Sequence, residues 1–279
     1  MSVLQTAGGM LALLLLCAVF LVACEDRIIY HPYKYPEGIW NPSSFNVQVE
    51  DVFFQAKDGT KLHGWYIPSA NAKATLLWFH GNAGNLTHRL ENIQQLQPLN
   101  INIFIFDYRG YGKSEGKPSE AGIYQDSQAA YDFLIQKKNV VPSENLFLFG
   151  RSLGGICAVE VASGNEATGL ILESVFTSAK DMAGQVFPLL PIGWAIRSKF
   201  SAIEKVPDLK LPKLFLHGTK DEIVPYKLGR KLYSAAAEPK EFYDIKGAGH
   251  NDTVAVGGRE YFSALDRFIS NTLRKKKQL

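Results

Sequence analysis

Cysteine is scarce in this chain of 279 residues. There are three, and two of them, Cys17 and Cys24, fall within the first two dozen positions. Cys157 stands alone in the body, which excludes an internal disulfide framework there. CxxC pairs and His/Cys clusters at zinc spacing are missing too, so no structural zinc module is encoded. Charge of one sign is equally sparse: the formal net charge is +3, and the basic residues are dispersed apart from Arg274-Lys275-Lys276-Lys277. That balance gives no electrostatic footprint for a nucleic-acid partner. The terminal basic run suits the last turn of a helix, where cations favour the dipole; a weak contact with anionic lipid is the other reading. Internal repeats and low-complexity tracts are absent.

Residues 1–24 lack any charged side chain, and 10–23 are almost wholly apolar. Such a segment reads as a signal peptide or a single membrane anchor, not as part of a fold. Its end, Leu21-Val22-Ala23-Cys24, resembles a bacterial lipoprotein cleavage box, which makes Cys24 the lipidation candidate and puts the protein on the far side of an inner membrane. No Lys or Arg precedes the apolar run, so an uncleaved anchor stays open. The 22 uncharged residues from Ser2 to Ala23 suffice to span ~30 Å of hydrocarbon at ~1.5 Å per residue.

With 46% hydrophobic and 12% aromatic content, the remaining ~250 residues suit one large domain better than two small ones. Residues 25–45 are rich in proline and aromatics, show no clean period, and read as an extended connection packed on the surface. From 46 to 279 the pattern is regular. Residues 47–53 alternate like a half-buried strand, and Asp58-Gly59 supplies a hairpin turn before 61–67. Short apolar runs at 75–79, 101–106, 145–149, 170–172, 213–216 and 241–245 read as strands, several of them covered on both faces. Helical spacing falls at 86–96, 120–136, from 152, at 225–234 and at 261–273. Strand and helix take turns, which predicts an α/β fold with a mostly parallel sheet and helices on both faces. The stretch 175–206 is too long for a simple connection and is expected to carry structure of its own.

The sequence Gly150-Arg151-Ser152-Leu153-Gly154-Gly155 lies between an apolar strand and a helix. So tight a reversal strains the central residue, and the flanking glycines give it room; the serine oxygen is then displayed at the carboxyl end of the sheet. A serine hydroxyl needs a base to take its proton. Of the six histidines, His31 and His63 precede the core strands, and His88 is expected on a solvated helix face. His80 and His217 each sit in a His-Gly pair directly after a strand, where backbone shape is the simpler reason for them. His250, in the loop 247–252 after the last strand, is the candidate base. Asp221, one loop after a strand and 29 residues earlier, is the candidate acid, which must hold the imidazole in its productive tautomer. Glu173, after the strand 170–172, is its rival; Asp252 is too close to His250 to present its carboxylate. Backbone N–H groups of Leu153 and Asn82 are the candidate donors to a tetrahedral oxyanion. Cys157, on the helix after Ser152, reads as a small buried residue.

HGNAGN at 80–85, FDYRGYGKSEGKPSE at 106–120, GRSLGG at 150–155, ESVFTS at 173–178, HGTKDEIVP at 217–225 and GAGHND at 247–252 together resemble the α/β-hydrolase superfamily. The branch they resemble includes membrane-tethered eukaryotic depalmitoylating hydrolases and bacterial relatives. The resemblance covers about 46–272. It implies an eight-stranded, mostly parallel sheet, a small cap over 175–206, and Ser152, Asp221 and His250 as catalytic triad. The cysteine-rich tail of the depalmitoylating members is absent, so their substrate does not carry over.

The expected reaction is acyl transfer to water on carboxylic esters or thioesters of a small-molecule or lipid-like substrate. No metal or organic cofactor is implied. Val186, Phe187, Leu189, Leu190, Ile192 and Trp194 either line an acyl pocket or simply cover the core. A serine peptidase releasing N-terminal residues is the alternative; it needs an anion near the cap for the substrate amine, and Asp181 is the only acidic residue between 176 and 201. A non-catalytic binding module is a third reading, against which all three triad residues stand.

Overall fold

Strands that are buried along their whole length must be covered on both faces, and this chain supplies four of them. The computed structural model describes residues 25–186, 196–276 and 278. The leader with Cys24, and Phe187, Leu189, Leu190, Ile192 and Trp194 of the expected cap, lie outside the described residues. Ten strands are described: β1 His31–Pro32, β2 Glu50–Gln55, β3 Lys61–Ile67, β4 Ala74–Phe79, β5 Ala83–Gly84, β6 Ile101–Asp107, β7 Leu146–Arg151, β8 Gly169–Glu173, β9 Lys213–Gly218 and β10 Lys240–Ile245. The helices are α1 Glu25–Ile29, α2 Leu90–Leu96, α3 Glu120–Lys137, α4 Leu153–Gly164, α5 Ala179–Val186, α6 Tyr226–Ala235 and α7 Thr253–Lys276, the last interrupted at Gly258; a single turn, Pro142–Asn145, precedes β7.

Eight strands form one sheet in the order β10-β9-β8-β7-β4-β6-β3-β2, and β1 pairs with β5 beside it. From β6 to β10 all neighbours are parallel, whereas β3 runs antiparallel to β6 and β2 antiparallel to β3. This is the α/β-hydrolase fold. Every residue of β4, β7, β8 and β9 is buried, while the edges β2 and β10 alternate and carry charge. Charged edges discourage pairing with a further strand.

The two-residue period of the strands divides the core. Leu77, Phe79, Leu148 and Leu172 pack under α3, α4 and α6, whereas Leu76, Trp78, Phe149 and Ile171 pack under α2 and α7. The first strand begins three residues later than the alternation predicts. Asn46 takes a left-handed conformation (φ 53°) after the turn Pro42–Phe45, and Val47 is buried before the strand starts. Residues 86–96 are not one helix: Leu86–Arg89 is a 3-10 turn capped by Asn85, and α2 follows it. His88 is exposed as expected, but its Nδ1 also lies 3.0 Å from the Asn85 side chain. Within the stretch 175–206, where a cap is expected, Ala179–Val186 is helical.

Candidate active site

Parallel strands bring their carboxyl ends, and the loops that follow them, to one edge of the sheet. At the end of β7 the chain reverses directly into α4, and Ser152 between them has φ 53° and ψ −122°. L-residues rarely adopt such a backbone, and it persists only where the surroundings enforce it. Two bonds do so here: the Ser152 N–H donates to the carbonyl of Glu173 at 2.9 Å, and the Gly155 N–H donates to the Ser152 carbonyl at 2.9 Å. The flanking glycines are required by close approach. A Cβ on Gly154 would lie 2.0 Å from the Phe79 carbonyl oxygen, and one on Gly150 would lie 2.4 Å from that of Gly154.

Leu153 opens α4, so its N–H has no partner inside the helix. The loop after β4 lies against Ser152; a Cβ built on Gly81 would be 3.7 Å from the serine Cβ. The Asn82 side chain is tied away from the serine. Its amide donates to the Ile29 carbonyl, and its Oδ1 accepts from the Tyr111 hydroxyl at 2.9 Å. Asn82 lines the cavity beside Ser152, and its side chain is engaged with Ile29 and Tyr111.

Beneath this loop lies a carboxylate that the sequence reading passes over. Asp107, at the end of β6, is fully buried; its Oδ1 accepts from the Leu86 N–H at 2.7 Å and lies 3.4 Å from His80 Nε2. Burial pushes its carboxyl pKa up, but the adjacent imidazoles of His63 and His80, with the Leu86 N–H, outweigh that and hold it below the usual range. Asp107 thereby braces the loop 80–86. Its sequence signal was the aspartate that ends an otherwise apolar strand.

His250 and Asp221 come from the loops after β10 and β9. His250 Nδ1 lies 2.8 and 3.0 Å from the two carboxylate oxygens of Asp221, and both residues are buried. The carboxylate places the imidazole proton on Nδ1 and leaves Nε2 free to accept. Asp221 also accepts from the N–H groups of Ile223 (3.0 Å) and Val224 (2.8 Å), and His217 Nε2 lies 3.4 Å away. Burial raises its pKa, but hydrogen bonds from His217 and His250 prevail and hold the carboxyl well below the usual carboxylate range. His217 therefore has a side-chain role beyond the backbone shape of its His-Gly pair.

Glu173, the rival acid, points elsewhere. It accepts from Thr253 Oγ1 and Tyr261 OH, both at 2.6 Å, and pairs with Arg151 Nε at 3.2 Å. Arg151 in turn donates to the His250 carbonyl and, at 3.2 Å, to Asn251 Oδ1. The residue before the serine thus ties the histidine loop to β7 and β8.

Ser152, Leu153, Asn82 and His250 all line one cavity of about 600 Å³. Its apolar wall includes Phe176, Met182, Val186 and Ile196 from the cap stretch, and also Ile28 and Ile29 of α1. Glu25 pins α1 there, its carboxylate accepting from the N–H groups of Arg197 (2.9 Å) and Ser198 (2.7 Å). The aperiodic stretch 25–45 therefore supplies a wall of the site, which no periodicity could signal.

Comparison with known proteins places the chain. A family model described as Serine aminopeptidase, S33 matches residues 70–198. The Alpha/beta hydrolase domain-containing protein WAV2 of Arabidopsis thaliana is 35% identical over 286 residues, spanning 92% of this chain and 91% of its own. Protein bem46 of Schizosaccharomyces pombe is 36% identical and covers 96% and 94% of the two chains. The chain belongs to the α/β-hydrolase superfamily. YfhR of Salmonella typhimurium, 36% identical over 90% of this α/β hydrolase and 91% of its own chain, is a further relative. Among solved structures, the Pyrococcus furiosus esterase Pf2001 shares the fold with a TM-score of 0.72 at 21% identity, over 87% of this hydrolase and 98% of that chain.

Proposed function

We propose that this α/β hydrolase is a serine hydrolase that cleaves carboxylic esters or thioesters of acyl or lipid-like substrates through an acyl-enzyme. The observation that carries the reading is the Asp221–His250 pair, bonded at 2.8 Å, with His250 lining one largely apolar cavity together with the strained Ser152. In this mechanism Ser152 Oγ attacks the substrate carbonyl while His250 Nε2 takes its proton. The amides of Leu153 and Asn82 stabilise the oxyanion, each donor lowering the barrier by ~3 kcal/mol. His250 then protonates the leaving alcohol or thiol, and water, deprotonated by the same imidazole, releases the acyl group as an acid. The apolar wall from Ile28 to Ile196 accommodates the acyl chain.

The peptidase reading draws support from the description of the matching family model. A substrate amine would need an unengaged carboxylate in the cavity. Glu25 lines it but is bonded to Arg197 and Ser198, and Asp181 is paired with Lys231 at 2.8 Å and with Thr177. Among the described residues the ester or thioester reading is therefore better supported.

We further propose that residues 1–24 hold the protein at a membrane, as a lipoprotein through Cys24 or as an uncleaved anchor. The support is the uncharged, almost wholly apolar run over 10–23 that ends at Cys24; among the described residues no helix is long and apolar enough to cross a membrane. Mass spectrometry of the mature N-terminus separates the two forms: a lipidated Cys24 terminus supports the first, an intact Met1 the second.

Fluorophosphonate labelling of wild type and Ser152→Ala tests the catalytic claim, followed by acyl p-nitrophenyl esters, acyl thioesters and aminoacyl amides as substrates. Labelling of wild type alone is expected. Failure of wild type to label removes the serine hydrolase reading, and preference for aminoacyl amides overturns the ester choice.

A further inference from the structure

The cavity beside Ser152 is not apolar throughout. Two arginines, Arg89 and Arg151, contribute to its lining near the loop 80–85. Arg151 is matched by Glu173 and by the acceptors of the histidine loop. Arg89 is not. Its Nη2 donates to the Ala83 carbonyl at 2.6 Å, but its Nε is buried without a hydrogen-bond partner, and among the described residues no carboxylate pairs with it. Burial, and then the charge of Arg151, pull its pKa down to about 10, so it remains a cation at neutral pH. Arg89 is half-buried, and the charges of Asp107 and Glu173 reach it without a direct ion pair; a cation held this way costs stability and brings nothing to packing that a neutral side chain could not. Such groups mark places where a ligand supplies the missing charge.

The surroundings restrict what that ligand is. Ala83, to which Arg89 is bonded, directly follows Asn82, so the guanidinium sits on the oxyanion-loop side of the cavity. The apolar lining comes from α1, which is tied to the same loop by the Asn82 bond to the Ile29 carbonyl, and from the cap stretch, through Ile28, Met182, Val186 and Ile196. A substrate that meets both kinds of lining carries an apolar chain and an anion in one molecule. The planar fork of arginine suits the paired oxygens of phosphate and carboxylate better than a point charge does.

We infer that Arg89 forms a subsite for an anionic oxyacid group, phosphate or carboxylate, carried by the alcohol or thiol portion of the acyl substrate. The inference rests on the hydrolase reading above and sharpens it: the preferred substrates are amphiphilic esters with a charged head, not neutral acylglycerols.

Calorimetric titration of the full chain carrying Ser152→Ala tests this without turnover. The probes are 1-dodecanoylglycerol 3-phosphate and uncharged 1-dodecanoylglycerol. The phosphate ester is expected to bind about tenfold tighter or more, a preference that Arg89→Gln removes. Equal affinities in the Ser152→Ala background overturn the subsite. Arg89→Lys keeps the charge without the fork, so the preference falls but survives; a ratio unchanged in both Arg89 variants overturns the assignment to Arg89. Dodecyl phosphate and dodecanoate as competitors separate the two oxyacids, and competition by neither sinks the proposal. With Ser152 restored, an equal fall in turnover of both esters in Arg89→Gln would mean that Arg89 acts on the oxyanion and not on a headgroup. Discrimination without fluorophosphonate labelling keeps the subsite and removes the hydrolase reading; labelling with no discrimination does the reverse.

Discussion

The imidazole of His250 lies 2.8 Å from the Asp221 carboxylate, although 29 residues separate them in the chain. Two loops at neighbouring strand ends bring them together, and Asp221 is fixed further by the amides of Ile223 and Val224. The carboxylate is pre-set before any substrate arrives, so it spends none of its hydrogen bonding on reorganisation.

Asp221→Asn removes the charge that stabilises the imidazolium and allows the wrong tautomer. Turnover of a p-nitrophenyl ester is expected to fall by about four orders of magnitude, with the fold intact by circular dichroism. Glu173→Gln behaves differently, because Glu173 bonds Thr253, Tyr261 and Arg151 and not His250. It is expected to cost about 3 kcal/mol in urea unfolding by leaving Arg151 unmatched, with far less loss of turnover. Near-normal turnover of Asp221→Asn would return the role of acid to Glu173.

Ser152 carries backbone strain that glycine would not feel. Ser152→Gly is therefore expected to be more stable than Ser152→Ala by about 1 kcal/mol in denaturant titrations, and neither variant labels with fluorophosphonate. Equal stabilities would show that the turn is not strained in solution.

Gly154→Ala drives a methyl group into the Phe79 carbonyl, 2.0 Å away, where neither backbone can yield. The expected cost is about 3 kcal/mol or more, read as a drop in Tm. Gly164→Ala, at the end of the same helix with nothing within 4 Å, is expected to gain about 0.5 kcal/mol.

Cys157 is fully buried, and that burial pushes its thiol pKa up to about 12. At pH 8 the thiolate fraction is on the order of 10⁻⁴, so iodoacetamide should modify Cys157 only after denaturation, as peptide mapping would reveal. The folded thiol holds its proton more tightly than the ordinary thiol at 9.0, so its contribution to stability is complete below pH 9 and is lost as pH rises toward about 12. Rapid native-state alkylation at pH 8 would contradict the burial.

Much of this protein was already determined along the chain. Apolar runs such as 75–79 bury on both faces in any α/β arrangement, and the order Ser152, Asp221, His250 belongs with strand ends that point one way. The glycines around Ser152 announce a reversal because backbone crowding is a local property. Side-chain partnership is not local. That Glu173 serves Arg151, Thr253 and Tyr261 while Asp221 serves His250 depends on segments up to 88 residues apart in sequence, and both carboxylates lie at or just past a strand end. The wall built by α1, the brace at Asp107 and the unmatched charge of Arg89 depend likewise on packing between distant segments. Composition and periodicity report which face of an element is buried; only the tertiary structure decides what each buried polar group meets there.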